Sequence, residues 1–261
     1  MKCTLWKWPV VLALGIQAPL LLPAQEQDDQ EAVTADPVIY MDAHAERALW
    51  RMGEFLKSAG AFRVHAETTL DERHSSGQWV EVSRATDLSV HRERGIRGSM
   101  RGDLENREYW CDLETASLLD PDNNVFAAID VPDTMDATLD FLLDEYGVSW
   151  PLADFVYSNP FVILIEEVQI GTYVGLHQVA GTPCHHLAFR QEGIDWQIWV
   201  DAGQDPVPRK ISLTYRDLEG APRVTAVLSD WDFAPHLPES IFAFEPPEGA
   251  EQIEFQSVRG K

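Results

Sequence analysis

The chain has 261 residues, of which 45% are hydrophobic, and 43 Asp and Glu against 20 Lys and Arg give it a formal net charge of −23. This length suits one large domain or two small ones, and it buries enough surface to fold without disulfides. The negative charge repels the phosphates of nucleic acids and of anionic membrane surfaces, so no nucleic-acid partner is expected. We interpret the charge as a source of solubility rather than as a docking surface for a basic partner.

The first residues have the pattern of a secretory signal peptide. Lys2 and Lys7 precede a mostly apolar run without charge over residues 10–22, and the small residue Ala24 follows it. Such a run is shorter than the apolar stretch of a typical transmembrane helix. We therefore expect residues 1–24 to be cleaved and the protein to be exported to the periplasm without stable membrane insertion. No Cys stands directly after the apolar run, so no lipid attachment is expected.

Residues 25–35 are acidic and polar, and we expect them to form a disordered lead-in to a single domain over residues 36–258. Asp36 and Pro37 are typical of a helix start, because Asp caps free N–H groups and Pro fits the first turn. Apolar residues then recur at helical spacing up to Gly60, at positions 45, 48, 49, 52, 55 and 56. The pattern predicts a helix with one apolar face.

From Phe62 the hydrophobic period changes to two, which is typical of a half-buried strand. Phe62, Val64 and Leu70 share one face, and charged or polar residues alternate with them. A turn at residues 74–77 leads into a returning strand. The returning strand is predicted over residues 79–90, and further strands are predicted over residues 96–104, 108–113, 117–119 and 125–129.

A helical stretch interrupts the strands at residues 133–146. Met135, Leu139, Leu142 and Leu143 recur at helical spacing, and Asp133 is placed to cap the helix. A second helical piece is predicted over residues 151–157. The chain then returns to strands over residues 168–172, 174–180, 184–191, 196–201, 209–217 and 223–232. This succession of elements predicts a single α+β domain.

Residues 184–201, CHHLAFRQEGIDWQIWVD, look at first like part of a metal site. Successive side chains of a strand point to opposite faces, so His185 and His186 cannot jointly bind one ion. The stretch is better interpreted as a β-hairpin with one apolar face, although a contact between one of these side chains and a distant His stays open. We expect no metal and no cofactor.

Catalytic motifs are missing from the sequence. It contains no His-Glu-x-x-His, no Gly-x-Ser-x-Gly, no phosphate-binding Gly loop and no Cys-x-x-Cys. Acidic pairs are too common in so acidic a chain to indicate acid–base catalysis. No catalytic residue is assigned, and the protein is not expected to be an enzyme.

Two cysteines follow the signal peptide, Cys111 and Cys184. Export allows them to pair. In an antiparallel meander they lie several strands apart, at about 4.8 Å per strand, whereas a disulfide needs Cα atoms within about 7 Å. We expect two unpaired, largely buried thiols, although a sheet curled back on itself could bring them together.

Several short stretches carry a resemblance to a known family. They are Asp36–Pro37 with the helix and strand that follow, Pro151–Asp154, His186–Arg190, Trp199–Asp201 with Pro206–Lys210, and residues 242–250, FAFEPPEGA. In this order they resemble the predicted periplasmic family called domain of unknown function 2092, over nearly all of the mature chain. That family in turn resembles the LolA/LolB lipoprotein-carrier superfamily.

The resemblance implies a LolA-like half-barrel: an unclosed, strongly curved antiparallel β-barrel of about eleven strands, with helices covering its concave face. In the carriers the space between sheet and helices holds acyl chains, and no catalytic residue carries over. The expected function is non-enzymatic binding or transport of a lipid, a lipoprotein or another apolar ligand such as an acyl chain. The alternative is a protein-interaction or envelope-assembly module with a filled core and an envelope protein as partner. A hydrolase ranks last, and the oligomeric state stays open.

The candidate ligand-binding residues come from the apolar faces of alternating strands and of the predicted helices. On the sheet they are Phe62, Val64, Leu187, Phe189, Trp196, Ile198, Leu213 and Leu228, and on the helices they are Leu139, Leu142, Leu143 and Phe155. If they interdigitate fully they form a plain core, and if some face a gap they line a dry apolar pocket.

Overall fold

The computed structural model describes residues 40–150 and 152–258, so the predicted signal peptide and acidic lead-in lie outside the described residues. The strands are β1 (Tyr40–Met41), β2 (Ala61–Arg73), β3 (Trp79–His91), β4 (Gly95–Gly102), β5 (Asn106–Cys111), β6 (Thr115–Asp120), β7 (Val125–Asp130), β8 (Ile170–Val179), β9 (Thr182–Gln191), β10 (Ile194–Asp201), β11 (Pro208–Tyr215), β12 (Arg223–Asp232) and β13 (Glu251–Gln252). The α-helices are α1 (Ala43–Ser58), α2 (Met135–Tyr146), α3 (Ala153–Val156) and α4 (Pro160–Ile165).

All thirteen strands form one sheet, in the order β1-β8-β9-β10-β11-β12-β2-β3-β4-β5-β6-β7-β13. Two antiparallel meanders, β2–β7 and β8–β12, meet where β12 pairs with β2. The two-residue strands at the edges pair in parallel, β1 with β8 and β13 with β7. The expected unclosed, curved antiparallel sheet is thus confirmed, with eleven long strands and two short parallel strands that shield its edges.

Helix α1 begins later than the sequence predicts. Tyr40 and Met41 pair with β8, and the carboxylate of Asp42 then accepts hydrogen bonds from the backbone N–H groups of His44 and Ala45. The cap expected at Asp36 is therefore wrong for this helix, because strand pairing holds the chain extended up to Met41. The predicted apolar face is confirmed, since Leu49, Met52 and Leu56 are fully buried.

Helix α2 is capped by Thr134 rather than by Asp133. The Thr134 hydroxyl accepts the N–H of Ala137, and the helix begins at Met135. It ends at Gly147, whose φ of 66° lies in the left-handed region that glycine adopts without a steric penalty. Asp133 and Thr134 are adjacent, and Thr134 is the cap because its side chain reaches a free N–H group of the first turn.

The chain after α2 contains two short helices, α3 and α4, where one helical piece was predicted. Helix α4 begins at Pro160, with Asn159 accepting the N–H of Val162, and it packs on α1. The approach is so close that a Cβ on Gly53 would lie 2.6 Å from the Cβ of Phe161. The two strands expected over residues 168–180 are instead one strand, β8, with an irregularity between Tyr173 and Gly175.

Residues 131–169, which connect β7 to β8 and carry α2, α3 and α4, are called the crossover segment. Its ends lie ten strand spacings apart in the sheet order, about 48 Å if the sheet were flat. One continuous apolar cluster nevertheless contains residues of β2–β6, of β9–β12 and of all four helices. The sheet therefore curves around the helices. We call α1 together with the crossover segment the roof, and the sheet face toward it the concave face.

After Phe233, which packs against Phe55 of α1, the C-terminal segment (residues 234–258) runs over the outer face and then the β7 edge of the sheet. Phe244 packs against Trp110 and Phe126, with ring centroids 4.8 and 5.2 Å apart. After β13, Phe255 contacts Tyr146, and the N–H of Val258 donates to the carbonyl of Glu145 at 2.9 Å. This segment therefore ties the outer face of the sheet to the end of α2.

None of the helices among the described residues is long and apolar enough to cross a membrane. Cys111 and Cys184 are both unpaired and buried, as predicted. Cys111 belongs to the apolar cluster beneath the roof, whereas Cys184 lies on β9, seven strand spacings away from β5.

Candidate functional site

The space between the concave face and the roof contains most of the candidate ligand-binding residues. Eleven of the twelve are buried members of the apolar cluster: Phe62, Val64, Leu139, Leu142, Phe155, Leu187, Phe189, Trp196, Ile198, Leu213 and Leu228. Leu143 is half-buried and lies outside that cluster. It follows Leu142, and successive helical residues point about 100° apart, so the two cannot face the same space.

The sheet side of this space is built around Trp196 on β10. Its indole ring stacks on Phe189, with centroids 4.2 Å apart, and the register places Leu213 on its other side. Ile198 lies opposite Leu187 and Ile211 in the next row of the concave face. These side chains share one face because strand residues alternate, which is the hairpin geometry that the sequence predicts.

The roof contributes residues that were not among the candidates. Leu49, Met52 and Leu56 of α1 are fully buried in the same cluster, and so is Leu164 of α4. The helical spacing in the sequence marked the α1 residues as an apolar face, but nothing showed which sheet they cover. Leu164 was missed because α4 itself was not predicted.

A polar group also faces this space, near α3. Asp154 of α3 interacts electrostatically with Tyr215 of β11, and Tyr215 interacts with Arg84 of β3. Burial raises the pKa of Tyr215, and burial likewise raises the pKa of Tyr109, a further neighbour of Arg84, to about 12. Both phenols therefore stay protonated at neutral pH and serve as hydrogen-bonding groups rather than as bases.

A few side-chain hydrogen bonds hold the helices of the roof together. Asp136 of α2 accepts hydrogen bonds from the N–H and the hydroxyl of Ser158, at 2.8 and 2.6 Å. Asp140, one turn later, accepts from the Tyr157 hydroxyl at 2.9 Å. These contacts fix α2 against the end of α3, so the two helices form one unit.

Arg92, just after β3, connects α2 and α3 to α1 and to the sheet by hydrogen bonds. Its guanidinium donates to the carbonyls of Leu56 and Ala59 at the end of α1, each at 2.9 Å. It also donates to the carbonyls of Val156 and Tyr157 at the end of α3, at 2.5 and 3.0 Å. One side chain thus donates to four carbonyls at the ends of the two helices, and the carbonyl of Leu56 also accepts the N–H of Ala59 at 3.3 Å.

The hairpin with two adjacent histidines has one His on each face, as predicted. His185 contacts the hydroxyl of Tyr173 on the concave face, whereas His186 stacks on Trp199 on the outer face. The open question of a distant His is answered by His177, whose Nδ1 lies 3.0 Å from Nδ1 of His186. Within residues 40–150 and 152–258, no group of three or more His, Cys, Asp or Glu is arranged to hold a metal ion.

A separate groove lies on the sheet near the β2–β3 and β11–β12 turns. It has a volume of about 340 Å³ and is lined by Thr69, Leu70, Asp71, Glu81, Ala221, Arg223 and Thr225. Its polar and charged lining does not suit an apolar ligand.

Comparison with solved structures finds proteins of similar overall form at low sequence identity. An uncharacterized conserved protein from Thermus thermophilus is 12% identical, with 81% of this chain and 99% of that chain covered and a TM-score of 0.47. The lipoprotein LppX from Mycobacterium tuberculosis is 12% identical, with 76% and 100% covered and a TM-score of 0.48. A LolA superfamily protein from Nitrosomonas europaea is 12% identical, with 77% and 97% covered and a TM-score of 0.37.

No curated protein matches the sequence. The model of one family does match, over residues 45–256, and this span includes nearly all of α1, the eleven long strands and the crossover segment. The chain therefore belongs to the DUF2092 family of predicted periplasmic proteins.

Proposed function

We propose that this protein is a non-enzymatic periplasmic binding or carrier protein for an apolar ligand, such as the acyl chain of a lipid or lipoprotein. The observation that carries the proposal is the single apolar cluster between the concave face and the roof, which contains eleven of the twelve candidate residues. Where helices and a curved sheet face each other with apolar side chains, moving the helices away from the sheet opens a dry apolar space suited to an acyl chain.

Ligand entry requires the roof to move, because the interior is closed in this structure. Leu142 and Trp196 are 1% and 0% exposed. We infer that α2 and α3 lift as one unit from the sheet.

The full burial of these residues also favours a second candidate, an interaction or envelope-assembly module whose core is permanently filled. The two functions differ in one property: a carrier takes up apolar molecules, whereas a filled core does not.

In either case we propose export by cleavage of residues 1–24, so mature protein recovered from the periplasm begins near Gln25 or Glu26. An intact Met1 in a membrane fraction would contradict export.

Titration with an apolar fluorescent dye or a fatty acid tests the carrier proposal. We expect a saturable change in Trp emission that Trp196→Phe largely removes, because Trp196 lies in the proposed site. Trp199→Phe is the matched control, since Trp199 is on the outer face of the same strand. We expect this variant to keep the change in emission. Absence of saturable binding by any apolar probe would reject the carrier and leave the interaction module.

A further inference from the structure

Two buried polar atoms on the concave face have no hydrogen-bond partner among the described residues. They are the indole Nε1 of Trp196, a donor, and the side-chain Oε1 of Gln191, an acceptor. The exposed fractions of the two residues are 0% and 3%. A buried polar group without a partner destabilises the fold, and native proteins contain few of them.

The two side chains are neighbours. Gln191 at the end of β9 pairs with Ile194 at the start of β10, and Trp196 is two residues further along β10. Residues in this diagonal relation share a face and lie about 7–8 Å apart at Cα. An oxygen that accepts one hydrogen bond and donates another, each of about 2.9 Å, joins polar atoms up to about 6 Å apart.

Their complementary chemistry indicates what fits between them. We propose that Trp196 and Gln191 form a polar anchor for the head group of the apolar ligand, a neutral group that both accepts and donates a hydrogen bond, such as a hydroxyl. Its oxygen accepts from the Trp196 N–H and its O–H donates to the Gln191 carbonyl oxygen. This inference rests on the proposed function, because the rest of the ligand lies in the apolar space.

A charged head group does not suit this anchor. Neither side chain carries a charge, and a carboxylate or phosphate buried against neutral partners pays a large desolvation penalty. Phe189 stacks on Trp196, and Leu213 pairs with it, so Trp196 has apolar neighbours on the sheet. Arg216 donates to the backbone carbonyl of Gln191 and forms an ion pair with Asp195, so its charge is already matched. The anchor therefore selects an uncharged hydroxyl-bearing chain over an anionic lipid head.

Three probes with the same decyl chain separate the contributions of the two hydrogen bonds. They are 1-decanol, which accepts and donates a hydrogen bond, decyl methyl ether, which only accepts one, and decane, which does neither. Each probe competes with the bound apolar dye. In the unmodified protein we expect decanol to bind roughly tenfold more tightly than the ether, the difference that one buried hydrogen bond makes. Gln191→Leu should abolish this preference, because it removes the acceptor. Trp196→Phe should weaken decanol and the ether but not decane, because it removes the donor.

Trp199→Phe is again the matched control and should leave the preference unchanged. The indole N–H resonance of Trp196, assigned by its loss in Trp196→Phe, should shift with decanol and stay in place with decane. The shift is measured on the unmodified protein, so it does not depend on the stability of Gln191→Leu. An equal preference for decanol in Gln191→Leu and the unmodified protein would overturn the anchor while dye binding still supports the carrier. Failure of the dye and of all three probes to bind would overturn both.

Discussion

The guanidinium of Arg92 donates to the carbonyl of Tyr157 over 3.0 Å, joining the end of β3 to the end of α3. The same side chain reaches the end of α1, so one residue connects the sheet to both parts of the roof. Burial lowers the pKa of Arg92, but an arginine keeps its charge in this setting.

Arg92→Ala should lower the free energy of unfolding by about 2–4 kcal/mol, because charge-assisted hydrogen bonds to four carbonyls are lost. Arg92→Lys should recover only part of this, since an ammonium group cannot reproduce the planar fork of donors. Urea unfolding measures both, with Arg47→Ala on the exposed face of α1 as the control. A loss no larger than that of Arg47→Ala would show that the roof does not depend on Arg92.

Leu142 and Leu143 allow the packing beneath the roof to be measured on one helix. Leu142→Ala should cost about 2–5 kcal/mol, because its side chain is 1% exposed within the apolar cluster. Leu143→Ala should cost less than about 1.5 kcal/mol, because Leu143 is half-buried outside the cluster. Equal losses for the two variants would mean that Leu142 borders an empty space or that α2 is rotated.

Glu108 provides an acid-sensitive contribution to stability on the outer face. Burial raises the pKa of Glu108, but hydrogen bonds from Arg97 and Arg101 outweigh it and hold the pKa below its usual value. A carboxylate with a lowered pKa in the folded chain stabilises it above the unfolded pKa, about 4.3, and loses this effect as the pH falls through the folded pKa.

Glu108→Gln should therefore lower the free energy of unfolding by about 1–3 kcal/mol at pH 7, and the difference from the unmodified protein should shrink below about pH 4. Glu93→Gln, an exposed carboxylate nearby in the chain, is the control and should show little effect at either pH. Urea unfolding at a series of pH values checks this, and a difference that persists unchanged down to about pH 2.5 would contradict it.

The two cysteines should stay reduced and react slowly in the folded protein. Burial raises the pKa of the Cys111 thiol to about 11 and also raises that of Cys184, so few thiolates form at about pH 8. A thiol reagent should find two free thiols per mature chain after denaturation without reductant, and its reaction with the native protein should be far slower. Zero free thiols after denaturation would show that the two residues pair.

The sequence predicts most of the sheet because its period of two is a local property. The alternation from Phe62 to Leu70 identifies both the strand and its buried face, and the hairpin at residues 184–201 follows from the same rule. Strand alternation of this kind depends on neighbouring residues alone. A separation of Cys111 from Cys184 is expected from a simple meander, but in the structure it arises because β12 pairs with β2 and leaves β7 and β8 far apart in the sheet.

Other features depend on contacts that no local pattern contains. Helix α4 has six residues, PFVILI, with three β-branched side chains, so only Asn159 and Pro160 mark its start. Leu142 and Leu143 are equally apolar, and only the orientation of α2 against the sheet separates them. The polar atoms of Trp196 and Gln191 lack partners because of the side chains that the fold places around them. These neighbours cannot be identified from the sequence.

Native mass spectrometry of the protein, purified from the periplasm without detergent, tests the central claim most directly. We predict a species heavier than the bare mature chain by the mass of one apolar molecule, which organic extraction removes and which Trp196→Phe carries in smaller amount. Protein of bare mass only, which also fails to take up any apolar probe added afterwards, would contradict the claim that the space beneath the roof holds a ligand.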